Sequence, residues 1–359
     1  MKTLNNKILY ISLTNGAGGA EQILLMAAKV TNSSLLFLSR ASSSALNING
    51  THQKITFLSN KSILWGFILL FKELGQYRKG YIIISSHSYL NAFLGFLKRI
   101  GYLESTLIAR ESTSVFLRFS GLKRLSYKLA YYLGYPSINL SICQTLEMKE
   151  QLLFNLPFLT DKSVIVQENP VDVHSILKKA EVAVADDIFE GKYICSAGRL
   201  IAIKGFDLLI KSFSELSGKY PDLKLLILGE GEEKERLQKL INDLDLKQKV
   251  ILKGFVDNPF PYFKRAEVCV VSSIREGFPN VLLQMMALNS SVVSSLCAGG
   301  IEAFDSVRKV KVNDINGLTN AIALELELNR HKNNNQNLAA LYHRTPENFI
   351  GSILDSIPA

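Results

Sequence analysis

The sequence predicts an α/β protein of two Rossmann-like domains, each a parallel sheet with helices on both faces. Three observations carry this. The chain has 359 residues, about twice the length of an ordinary single domain. Short apolar runs rich in Val, Ile and Leu alternate with amphipathic stretches, the pattern of βαβ units whose strands are buried on both sides. The chemically unusual residues fall where an apolar run gives way to a turn. That is the carboxyl end of a strand, where open parallel sheets bind ligands.

In the first half, "NKILYISL" (6–13) reads as a strand running into "TNGAGGAEQILLMAAKV", a Gly-rich turn that opens a helix. "SSLLFLS" (33–39), "KITFLS" (54–59), "YIIISSH" (81–87), "STLIARES" (105–112) and "INLSICQ" (138–144) are further strands. The connection "VIVQENPVDVHSI" follows, and its Asn169-Pro170 pair favours an extended or turning backbone, so the hinge is placed there. The expected domains are 1–168 and 169–335.

The second half alternates more cleanly. "KYICSAG" (192–198), "LKLLILG" (223–229), "KVILKGF" (249–255), "EVCVVSS" (267–273) and "SVVSSL" (291–296) read as strands. "KGFDLLIKSFSELS" (204–217), "EEKERLQKLINDL" (232–244), "PFPYFKRA" (259–266) and "NVLLQMMALN" (280–289) read as the helices between them.

Composition bounds the class. At 47% hydrophobic and 20% charged the chain is globular rather than disordered. The longest apolar run, "SILWGFILLF" (62–71), is about half of the roughly 18 residues a spanning helix needs. The run from Ile8 to Leu13 is too short for a signal peptide, and four scattered cysteines form no metal or disulfide framework, so a cytoplasmic protein is expected. Residues 1–170 hold 18 Lys and Arg against 8 Asp and Glu, a balance of +10. Residues 171–359 hold 23 against 24, a balance of −1. An anionic partner is expected on the first half alone. The charge is densest in 98–135, where Lys98, Arg99, Arg110, Arg118, Lys123, Arg124 and Lys128 interleave with Phe116, Phe119, Tyr127, Tyr131, Tyr132 and Tyr135. That mixture fits an anionic membrane surface, or else ordinary packing of the aromatics. No nucleic-acid motif accompanies it, so nucleic acid is not expected.

Several short motifs sit at the strand ends. "NGAGGAEQ" (15–22) has its glycines at 16, 18 and 19, which is not GxGxxG and argues against a dinucleotide oxidoreductase. Its free amides suit either an anion or a plain tight turn. In "SAGRLIAIKGF" (196–206), Arg199 and Lys204 oppose the dipole of the following helix, so they read as diphosphate ligands or as exposed surface cations. His87 ends the strand "YIIISSH", and Glu111 lies in "ARES". The stretch "REGFPNVLLQMMALN" (275–289) places one acid, Glu276, before a Gly-Phe-Pro turn and a helix.

Taken together, "GGAEQ", "ENPVDV", "AGRLIAIKGFDLLIKSFSEL", "PDLKLLILGEGEEKERL", "VILKGFVDNPFPYF" and "SSIREGFPNVLLQMMALNSSVVSS" resemble glycosyltransferase family 4, the retaining GT-B enzymes, in the subgroup that builds surface polysaccharides and lipid-linked oligosaccharides. The resemblance implies a GT-B fold, its two parallel sheets facing across a cleft, with 336–359 the family's closing helix that crosses back to the first domain. It implies a nucleotide-sugar donor, most simply a UDP-hexose or UDP-N-acetylhexosamine, bound by the second domain. The acceptor, a saccharide or lipid-diphosphate-linked saccharide, falls to the first domain, at the inner face of the plasma membrane. No cofactor or metal is implied. Arg199 and Lys204 correspond to the diphosphate pair, and Glu276 to the acid that orients the sugar. Gly277 and Phe278 would offer backbone amides, Pro279 sets the turn, and Asn280 starts a helix aimed at the diphosphate. Val256 lies in the segment that contacts the base. Gly18 and Gly19 match the loop facing the donor, with Glu21, Arg110 and Glu111 on the acceptor side and His87 in contact with sugar or acceptor. Where the family has a second acid holding the ribose, this chain has Gln284, which keeps an acceptor oxygen but no charge. That departure leaves open an idle nucleotide-sugar-binding subunit of a larger transferase. For an active enzyme the resemblance implies same-face attack through an oxocarbenium-like state, the leaving phosphate helping to take the acceptor's proton.

Overall fold

The computed structural model describes residues 7–16, 18–41, 46, 48, 53–60, 62–160, 163–184, 190–328 and 335–358. It divides into two compact units, Met1–Pro170 with Pro346–Ala359, and Val171–Thr345.

The first unit runs β1 (Lys7–Thr14), α1 (Gly19–Val30), β2 (Ser34–Ser39), β3 (Ile55–Ser59), α2 (Ile63–Glu73), β4 (Tyr81–Ser85), α3 (Ser88–Arg99), β5 (Thr106–Arg110), α4 (Val115–Arg118), α5 (Gly121–Gly134), β6 (Leu140–Cys143), α6 (Leu146–Asn155) and β7 (Val164–Val166). Its strands form one parallel sheet in the order β3-β2-β1-β4-β5-β6-β7. Strand β7 lies where the sequence suggests only a connection, because three residues are too few to show a periodicity. Alternate side chains of β1 enter two cores. Ile8 and Tyr10 join α1 on one side, while Leu9 and Ile11 join α2 and α3 on the other. Side-chain caps fix two helix starts, Ser62 Oγ accepting from Trp65 N–H and Thr145 Oγ1 from Met148 N–H.

The second unit runs α7 (Val173–Ala180), β8 (Tyr193–Ala197), α8 (Phe206–Leu216), β9 (Lys224–Leu228), α9 (Lys234–Asp243), β10 (Val250–Gly254), α10 (Phe260–Arg265), β11 (Val268–Val271), α11 (Asn280–Leu288), β12 (Val292–Ser295), β13 (Arg308–Val310), α12 (Ile315–Leu328) and α13 (Asn335–Leu341). Its parallel sheet has the order β10-β9-β8-β11-β12-β13. Every strand expected from the sequence in this half is present. Cys195 and Cys269, far apart in sequence, are register partners on β8 and β11, and all four cysteines are free and buried.

The tail is not one closing helix from 336. Helix α13 stays with the second unit, where Leu341 joins the core and Asn337 Nδ2 donates to the Asn289 carbonyl at 2.7 Å. A separate helix, α14 (Pro346–Asp355), buries Phe349, Ile350 and Ile353 in the first unit, against α1. Asn335–Leu341 and Pro346–Asp355 carry separate apolar stripes, and the turn between them lets each serve its own core. Among the described residues no helix is long and apolar enough to cross a membrane.

Helices α3 and α5 touch backbone to backbone. A Cβ added at Gly134 would stand 2.0 Å from the Ala92 carbonyl oxygen, and one at Gly95 would stand 2.2 Å from that of Gly134. Gly134→Ala should therefore push α5 off α3 and cost about 1–3 kcal/mol, the usual range for overpacking a tight contact. A lower denaturant midpoint of the first unfolding transition would show it, and an unchanged midpoint would contradict this packing.

Candidate functional site

The order of the second sheet reverses between β8 and β11, so the connections leaving these neighbours diverge and open a crevice at their carboxyl ends. Lys204 follows β8 and Glu276 follows β11. Lys204 Nζ lies 2.5 Å from Glu276 Oε1, and each side chain is 17% exposed. Ser273 Oγ donates to the same carboxylate oxygen at 2.8 Å, and the Glu276 N–H donates to the Cys297 carbonyl beyond β12. Glu276 is thus held at three points, two on its carboxylate and one on its backbone.

The two connections are laced together. Residues Ala202–Lys204 form a single tight turn, and Gly205 then adopts a left-handed backbone, φ 62°, before α8 begins. A Cβ at Gly205 would stand 2.2 Å from the Ser272 carbonyl oxygen. Ser272 Oγ donates to the Lys204 carbonyl at 3.0 Å, and Ile274 N–H donates to the Ile203 carbonyl at 2.8 Å. The "LGEGEE" turn contributes as well, because Leu200 N–H donates to the Glu230 carbonyl and Gly229 N–H to that of Gly254. Nothing in the sequence marks Ser272, Ser273 or Glu230 as site residues beyond a pair of serines between an apolar strand and an acid.

Arg199 stands exposed on the loop after β8, and among the described residues its side chain makes no hydrogen bond or ion pair. Lys204 is offset by Glu276, whereas Arg199 has no charged partner among the described residues. Helix α11 starts at Asn280, preceded by Pro279 in an extended conformation, with no side-chain cap on its first amides. Gly277 is half-buried on the turn before it. Phe278 is a core anchor: its ring meets Phe304 edge to face, and the Arg344 guanidinium lies over both rings. Only its backbone is left for a ligand. Gln284, one turn into α11, is half-buried and already has a partner, whereas Leu282, Leu283, Met285 and Met286 are buried in the core. Val256, beyond β10, packs half-buried against that core.

The first sheet reverses between β1 and β4, and there the structure brings Glu21 and His87 together. Glu21 lies in the first turn of α1, and His87 immediately precedes α3. His87 Nε2 is 2.9 Å from Glu21 Oε1 and 3.3 Å from Ser12 Oγ. Gly18 makes room for this carboxylate, since a Cβ there would stand 2.5 Å from Glu21 Oε2, and Gly19 begins α1 beside it.

Arg110 and Glu111 are different. The sequence placed them on the acceptor side, but both are enclosed inside the unit. Arg110 donates to Ser86 Oγ at 3.1 Å and to Asn169 Oδ1 at 2.6 Å, and burial lowers its pKa to about 10 against the pull of Glu21 and Glu111. Glu111 accepts from the hydroxyls of Tyr131, Tyr135 and Ser88 and from the Asn91 amide. Burial still raises its carboxyl above the ordinary range. Enclosure by α3 and α5 turns two charges at a strand end into interior structure. The basic segment divides similarly. Lys98 and Arg99 donate to backbone carbonyls, and Phe116, Tyr131 and Tyr135 are core. Arg118, Lys123, Arg124 and Lys128 face outward, none of them ion-paired among the described residues.

Comparison with known proteins follows the same division. Residues 188–339 match the sequence model of the family described as glycosyl transferases group 1. An uncharacterized glycosyltransferase of Methanocaldococcus jannaschii is 36% identical over 176 residues, 48% of this chain and 43% of that protein. The N-acetylgalactosamine-N,N'-diacetylbacillosaminyl-diphospho-undecaprenol 4-alpha-N-acetylgalactosaminyltransferase of Campylobacter jejuni is 34% identical over 203 residues, 56% of this chain and 54% of that one. The chain thus spans about half the length of these curated relatives. The Anabaena protein HepE, solved with UDP and glucose, superimposes with a TM-score of 0.80 at 17% identity over 98% of this chain and 100% of its own. Two Rossmann-like units with this strand order make the fold GT-B. Residues 188–339 are thus similar to the group 1 glycosyl transferases, and the curated relatives matched over about half of the chain are named glycosyltransferases or sugar transferases.

The Gly205 contact generates a test of this geometry. Gly205→Ala adds a Cβ in a left-handed conformation against a fixed carbonyl, so it should cost about 1–3 kcal/mol. A melting temperature lowered by several degrees is the expected outcome, and an unchanged one would mean that the β8 and β11 connections are not locked together.

Proposed function

We propose that the chain transfers a hexose or N-acetylhexosamine from a UDP-sugar to a saccharide or lipid-linked saccharide acceptor, with retention at the anomeric carbon. The observation that carries this is the pairing of Lys204 with Glu276 beside the unpaired Arg199, at the point where the second sheet reverses. The likeness to a protein solved with UDP and glucose, and to one named for a diphospho-undecaprenol substrate, supports the donor and acceptor classes. In this reading the donor lies at the carboxyl ends of β8 and β11. Arg199 and Lys204 meet the diphosphate, where negative charge grows as the sugar departs, and the first amides of α11 add their partial charge. No resident metal or cofactor is called on. Glu276, fixed by Ser273 and the Cys297 carbonyl, holds the sugar hydroxyls. In the free chain it also offsets Lys204, and the diphosphate takes over that role on binding. Gln284 holds the ribose through its carbonyl oxygen. The acceptor's hydroxyl attacks the same face, its proton passing to the leaving phosphate. Glu21 and His87 mark the acceptor end of the first unit, which works at the inner face of the plasma membrane in cell-surface polysaccharide synthesis.

Arg199→Ala and Lys204→Ala should each lower turnover of a UDP-hexose by roughly 10²–10³, the scale of losing one preorganised charge. Arg199 is exposed, so its variant should keep the melting temperature, whereas Lys204→Ala leaves the Glu276 carboxylate with Ser273 alone and should lower it. Near-normal turnover in both variants removes the diphosphate site. Gln284→Glu should keep or tighten donor affinity, because the position is half-buried and the new charge can stay hydrated. A large loss of melting temperature would instead make Gln284 a structural residue.

A further inference from the structure

The side of α5 that meets α3 carries Tyr127, Ala130, Tyr131 and Gly134. Leu122, Leu125, Leu129 and Leu133 recur every three or four residues on the opposite side, with exposures of 86%, 61%, 60% and 45%. A helix solvated on its outer face has polar residues there. Lys123, Arg124 and Lys128 flank the leucines, and residues 112–146 contain no Asp or Glu. The apolar face continues onto the neighbouring helices. Phe96 and Ile100, on α3 and at its end, are exposed. Helix α2, joined to α3 by the Phe67–Phe93 edge contact, exposes Leu64, Trp65 and Ile68.

We propose that the outer faces of α5, α3 and α2 dock the first unit on an anionic lipid bilayer. The leucine stripe and Trp65 sit at headgroup depth, and Lys123, Arg124 and Lys128 lie against lipid phosphates. The choice of occupant rests on charge. Two copies of this chain meeting on the stripe would bring like cations together, and a soluble saccharide has no use for exposed leucines. A bilayer surface with anionic headgroups accepts both features at once. The purpose of docking, bringing the site to a lipid-carried acceptor, rests on the proposed function; the docking itself does not.

Trp65 is the chain's single tryptophan, so its emission reports on this face directly. Vesicles of phosphatidylglycerol and phosphatidylethanolamine should shift that emission to shorter wavelength and sediment the full chain, far more than phosphatidylcholine alone. The Leu122→Ser, Leu125→Ser, Leu129→Ser variant should lose about tenfold or more in vesicle affinity with its melting temperature kept, as expected for removing exposed apolar contacts. Changing Arg118, Lys123, Arg124 and Lys128 to Ser should abolish the salt-sensitive part of binding. Unshifted emission with the protein in the supernatant overturns the proposal, as does a triple variant that binds like wild type. A solution dimer dissolved by the triple variant, without vesicle binding, overturns it in favour of a second copy. These vesicles carry no saccharide, so loss of sugar transfer with docking intact would count against the proposed function alone.

Discussion

A parallel strand hydrogen-bonded on both sides and covered by helices on both faces leaves chemistry only one place, its ends. That constraint organises both units. In the second, β8 and β11 are buried along their length, and Lys204 and Glu276 appear only after the strands stop. In the first, β1 and β4 are equally buried, and Glu21 and His87 appear at the same place in the topology. Each sheet reverses its order between the two strands concerned, and an acid meets a basic side chain at each reversal, Glu276 with Lys204 and Glu21 with His87.

The two crevices differ in how firmly the acid is held. Glu276 is tied to Lys204, to Ser273 and to the end of β12, and the loops that bring these together are locked by the Gly205 contact with Ser272. A side chain so fixed gives up little further freedom when a ligand arrives, which is the physical basis of preorganisation. Glu21 is bonded to His87, which also meets Ser12, and it needs Gly18 to leave space for its carboxylate.

Burial decides which charges remain available. Arg110 and Glu111 lie at the end of β5, a position that invites a functional reading, yet the structure spends them on Asn169, Ser86 and the hydroxyls of α3 and α5. Arg199 lies at the end of β8 and stays exposed. The contrast comes from the neighbours. The close crossing of α3 and α5 walls in the end of β5, while Arg199 on the loop after β8 is left exposed.

By itself the sequence determined the alternation of strands and helices, the parallel character of both sheets and the strand ends where function gathers. Each of these follows from local periodicity and turn residues. The motifs around Arg199, Lys204 and Glu276 were legible for the same reason, since each sits beside a well-marked strand. Pairings were not legible. Lys204 and Glu276 are 72 residues apart, and their contact depends on β8 and β11 being neighbours, an order that side-chain periodicity does not encode. The enclosure of Arg110 and Glu111, the division of the tail between two cores and the outward leucines of α5 were likewise decided only by tertiary packing. Periodicity marks an apolar face, but only the neighbouring elements determine whether that face is covered.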